Sequence, residues 1–72
     1  MRYKALKDCS WIVSIDNNPW GEMFYWNAWT HANTGVSFKL VCSDSGYKLK
    51  TGAKKSWEAF AKRNGFKHWK FI

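Results

Sequence analysis

The chain has 72 residues, 46% of them apolar and 19% aromatic, and carries a formal net charge of +7 at pH 7. That length permits one domain, and the apolar content excludes a disordered tail. A fold of this size buries only about 60% of its unfolded surface. The core must therefore come from the six Trp, three Tyr and five Phe, each able to bury roughly 150–250 Å². No apolar run approaches the roughly 20 residues of a membrane span, and Met1 to Asp8 lacks the apolar stretch of a signal peptide. The expectation is a cytoplasmic protein with no membrane partner.

The charge is unevenly placed. Residues 1–45 carry Arg2, Lys4, Lys7 and Lys39 against Asp8, Asp16, Glu22 and Asp44, and balance to zero. Residues 46–72 carry Lys48, Lys50, Lys54, Lys55, Lys62, Arg63, Lys67 and Lys70 against Glu58 alone, which is the whole excess. Such asymmetry points to an anionic partner, either nucleic acid or an acidic protein, against the plainer alternative of a basic face that maintains solubility. Cys9 and Cys42 are too few for a disulfide framework. With His31 and His68 they also lack the roughly two-to-five-residue spacing of a structural zinc site. Reduced cysteines, no metal and no cofactor are expected.

Taken in chain order, the first element is a strand, in which Trp11, Val13 and Ile15 alternate with Ile12 and Ser14. Asp16-Asn17-Asn18-Pro19-Trp20-Gly21 concentrates turn formers and ends it. Glu22 to His31, aromatic and free of Pro and Gly, is predicted to be the long strand. Asn33-Thr34-Gly35 suits a three-residue hairpin loop into Val36 to Ser43. If Ala32 pairs with Val36, then Thr30 faces Phe38, Ala28 faces Leu40 and Trp26 faces Cys42 on an apolar side. The other side pairs His31 with Ser37, Trp29 with Lys39, Asn27 with Val41 and Tyr25 with Ser43.

Asp44-Ser45-Gly46 reads as a turn, and Tyr47-Lys48-Leu49-Lys50 alternates like a short strand. From Ala53 to Asn64 the period changes: Ala53, Trp57, Phe60 and Ala61 share one helical face, with Lys54, Lys55, Glu58 and Lys62 opposite. Thr51 is the predicted N-cap and Gly65 the C-terminal stop. Phe66 to Ile72 returns to strand composition, with Trp69 and Phe71 toward the helix and His68 and Lys70 away from it. The fold class is α+β, a small antiparallel sheet of three to five strands with one amphipathic helix on one face and a final strand after the helix.

The segment Tyr47-Lys48-Leu49-Lys50-Thr51-Gly52-Ala53-Lys54-Lys55-Ser56-Trp57-Glu58 resembles the YegP-like family of small bacterial modules, in which three strands precede a helix entered through a Gly-Ala-Lys-like turn. The resemblance covers residues 11–64 and implies strands plus one helix, with no functional residues to carry over. The six tryptophans, the long Asp16 to Gly21 turn and the strand after the helix depart from it. In build the chain is also similar to small phage-encoded proteins, which often bind and inhibit one host protein.

No carboxylate pair, nucleophile motif or phosphate-binding Gly-rich loop occurs, so catalysis is not expected. A sheet face left open by a single helix would display Tyr25, Trp29 and His31 beside Lys39, rings on which unpaired bases stack. Lys48, Lys50, Lys67 and Lys70, read as strand residues, would border that platform, with Lys54, Lys55 and Lys62 on the helix as a second basic surface. Duplex binding by the helix is less favoured, because lysines contact phosphates and do not read bases. The function expected is a nucleic-acid-binding module of low sequence specificity that favours single strands. A modulator or inhibitor of a protein partner, anchored on the same aromatic face, is the alternative. Trp20, a large ring in a turn, is a further candidate contact, and a homodimer would supply burial that one chain lacks. Trp11, Trp26, Trp57 and Trp69 are assigned to the core.

Overall fold

The computed structural model describes residues 6–20, 22–32, 35–43 and 46–72. The expectations for Met1 to Ala5, Gly21, Asn33, Thr34, Asp44 and Ser45 lie outside the described residues. Strands β1 (Ser10–Asn17), β2 (Phe24–His31) and β3 (Ser37–Val41) precede helix α1 (Lys50–Arg63), and β4 (His68–Phe71) follows it. The sheet order is β3-β2-β1-β4. The α+β architecture expected from the sequence is therefore present.

The β2–β3 hairpin has the expected register. Thr30 pairs with Phe38, Ala28 with Leu40 and Trp29 with Lys39, and the Ala32 N–H donates to the Val36 carbonyl at 2.9 Å. Gly35 has the left-handed φ of 88° that the loop requires. β1 pairs antiparallel with β2, setting Trp11, Val13 and Ile15 against Thr30, Ala28 and Trp26. These residues form the helix-facing side of the sheet.

β2 begins at Phe24, not Glu22, and β3 spans Ser37–Val41 where Val36 to Ser43 is expected; three further features differ from the sequence expectation. β1 extends through Asp16 and Asn17, which the sequence places in the turn, because both continue the pairing with Tyr25 and Phe24. The strand predicted over Tyr47 to Lys50 reduces to one bridge, Phe24 with Tyr47, and Lys50 is already helical. The helix N-cap is Leu49, not Thr51. Its backbone is extended (φ −117°, ψ 145°) and gives no side-chain cap. The start is fixed instead by Tyr47, whose backbone exchanges two hydrogen bonds with Phe24 and whose hydroxyl donates to Ser56 Oγ at 2.9 Å.

The sheet is also mixed, since β4 runs parallel to β1, with Trp11 beside Trp69 and Ile12 beside Lys70. Chain geometry explains this. β1 and β3 point the same way because each is antiparallel to β2, and α1, about 21 Å long at 1.5 Å per residue, carries the chain back before the last strand begins. Gly65 ends the helix in a Schellman motif: at φ 78° its N–H bonds the Lys62 carbonyl, while the Phe66 N–H bonds that of Ala61. The Phe66 ring lies 6.1 Å from that of Phe60, the apolar contact that accompanies this motif.

Trp57 organises the core. It is fully buried, with ring centroids of Trp11 at 5.8 Å, Trp26 at 5.0 Å and Trp69 at 6.0 Å. These tilted and edge-on arrangements add to the burial of apolar area. Trp26 Nε1 donates to Ser56 Oγ at 3.2 Å. The Nε1 groups of Trp11 and Trp57 are buried without an acceptor among the described residues, at roughly 1–3 kcal/mol each, which the ring packing offsets.

Candidate open sheet face

The helix packs on β1 and β2 from one side only, and strand alternation sends every second residue to the other side. Register then defines rows across the other face, which no described element covers. One row crosses all four strands: Lys70 on β4, Ile12 on β1, Trp29 on β2 and Lys39 on β3. Lys39 and Lys70 are exposed, Trp29 is half-buried, and the Lys39 ammonium sits 5.5 Å from the Trp29 ring centroid. An indole in the sheet centre thus has a cation on each edge strand of its row.

Toward the start of β1, His68 lies beside Ser10 and His31 beside Ser37, whose hydroxyl is 3.2 Å from His31 Nε2. Two adjoining depressions share Ser10 and Ile12. One, of about 800 Å³, is lined by Trp29, His31, Ser37 and Asp8 among others. The second, of about 430 Å³, is lined by His68, Lys70 and Lys67. Toward the other end the face turns acidic. Asp16 stands opposite Tyr25 and accepts hydrogen bonds from Asn27 Nδ2 at 2.7 Å and Ser14 Oγ at 3.1 Å. Asn27 is only 7% exposed, so this network is a packed part of the face. The sequence conceals it because Asp16 stands at the head of a run of turn formers.

The structure separates the other candidates. Tyr25 shares the face with Trp29 but lies four residues along β2, about 13 Å away at the usual rise. Trp20 is 78% exposed in the β1–β2 turn, beyond the Tyr25 end of the sheet. Lys48 lies between the Tyr47 bridge and the helix, and Lys50 opens the helix, so neither borders the platform as a strand residue. Lys55 and Lys62 are exposed on α1, which covers the opposite side of the sheet. Lys54 is half-buried there, its ammonium 5.2 Å from the Phe71 ring. Lys67 immediately precedes β4 and is exposed. The lysine cluster of the sequence is thus two surfaces: a helical one, and the flanks of the Trp29 row.

Cys9 immediately precedes β1, whereas the Cys42 backbone N–H donates to the carbonyl of Trp26, the partner of Ile15. They lie at opposite ends of the sheet, roughly 20 Å apart along the strands, and both are free. Among the described residues no three His, Cys, Asp or Glu side chains stand together as metal ligands, and no helix is long and apolar enough to cross a membrane. No family model, curated protein or solved structure matches the chain.

Proposed function

We propose that the open sheet face binds single-stranded nucleic acid with little base preference. The observation that carries this reading is the row Lys70, Ile12, Trp29, Lys39. A central ring gives a base a stacking surface worth about 1–3 kcal/mol, and a cation on either side holds the backbone. The Asp16 network repels phosphate at the far end and biases the strand toward the Trp29, His31 and His68 end. Lys67 extends the positive border along β4. The helical lysines add long-range attraction from behind the sheet and do not contact the stacked bases.

The test is fluorescence anisotropy of labelled single-stranded and duplex oligonucleotides at low and physiological salt, with tryptophan quenching in parallel. Micromolar single-strand binding that quenches tryptophan, and that Trp29→Ala weakens about tenfold while the circular dichroism spectrum is unchanged, supports the reading. Absence of binding at low salt rejects it. The exposure of Trp20 favours a second reading, a modulator that anchors an aromatic side chain in an acidic protein partner. Its affinity would be much less sensitive to salt.

A further inference from the structure

The two edges of the sheet are not alike. β4 has four residues, two of them His68 and Lys70, and follows Lys67, so charge protects it. β3 has five residues, SFKLV, with no proline and one charge. Just outside the two ends of β3, the Ala32 N–H donates to the Val36 carbonyl and the Cys42 N–H to the Trp26 carbonyl. By alternation the backbone groups of Ser37, Lys39 and Val41 therefore point away from the sheet. No hydrogen bond to these outward groups is formed among the described residues. The side chains agree: the helix packs on β1 and β2, leaving Phe38, Leu40 and Cys42 only half-buried on its side, with Val36 and Val41 about half exposed.

We infer that β3 pairs antiparallel with β3 of a second copy, joining two four-stranded sheets into one of eight strands. A two-fold axis through Lys39 would set the two ammonium groups against each other. An axis through Leu40 instead sets Leu40 on Leu40, Phe38 on Cys42 and the Lys39 stem on Val41, extending the apolar layer beneath the helix from one copy into the next. Charge distribution permits this despite the net +7. The excess resides in residues 46–72; apart from Lys48, which follows the Tyr47 bridge to β2, its cations lie on the helix or beside and along β4, so most of the positive charge of the two copies stays apart. A second copy fits this edge better than an acidic peptide, which would find only Lys39 there. The pairing is independent of the nucleic-acid reading.

Sedimentation equilibrium of the full chain without nucleic acid tests this. Twice the 8.5 kDa chain mass is expected at high micromolar concentration, because a five-residue edge makes a small interface. Lys39→Pro removes an outward N–H without touching the β2–β3 ladder and is expected to give monomer. Val41→Lys places like charges opposite one another twice in the dimer and is expected to weaken it about tenfold. Both variants should keep the far-ultraviolet spectrum. A wild-type chain that stays monomeric overturns the inference, and so does a dimer that withstands either substitution.

Discussion

Trp57 illustrates how single residues carry the stability of so small a chain. It is fully buried and its ring meets Trp11, Trp26, Phe60, Phe66 and Trp69, so truncation leaves a cavity that five rings cannot close together. Trp57→Ala is expected to cost about 3–5 kcal/mol, a large part of the roughly 5–15 kcal/mol that a domain possesses, measured as a lowered urea midpoint or outright unfolding. Ser56, one residue earlier, accepts hydrogen bonds from both Trp26 Nε1 and the Tyr47 hydroxyl. A single hydroxyl thereby ties β2, the segment before the helix and the helix itself together. Trp29, by contrast, lies on the open side and joins none of these contacts.

At the scale of elements, the end of the helix determines where the last strand can start. Gly65 adopts φ 78°, and among the described residues a Cβ added there would meet only Lys7 Cβ at 3.9 Å, so the penalty for a side chain is conformational and not steric. Gly65→Ala is expected to cost about 1–2 kcal/mol, read as a fall in thermal midpoint, with Gly65→Asn milder because Asn tolerates the left-handed region. The loss should appear in β4 first, since the same turn delivers Phe66 to the core and aligns Trp69 beside Trp11. Helix entry is less sensitive: it has no capping side chain and depends on the Phe24–Tyr47 bridge.

Over the whole molecule, charge is divided between two sides of one sheet, and salt titration distinguishes them. Single-strand affinity should fall linearly with log salt, by about 0.7 per phosphate contacted. Lys39→Ala and Lys70→Ala should each reduce that slope by about 0.7, while Lys55→Ala with Lys62→Ala, which remove only screened long-range attraction, should together reduce it by much less. A slope loss from the helical pair, with none from Lys39→Ala and Lys70→Ala, would place the phosphates on the helix side instead.

Local periodicity and turn chemistry determined the identity of four strands and one helix, the two faces of the hairpin and its register, because both are local and a one-residue slip would bury Lys39 in place of Leu40. They also determined that Trp11, Trp26 and Trp57 are core and that Trp29, Lys39 and Lys70 face away from the helix. Tertiary structure alone decided that β4 inserts parallel beside β1, since that pairing depends on which edges remain free once the helix has crossed the sheet. The same crossing set Lys55 and Lys62 behind the sheet while Lys70 joined the Trp29 row. Local composition had grouped them as one cluster, because sequence proximity records charge density and not the side of a sheet on which each charge emerges.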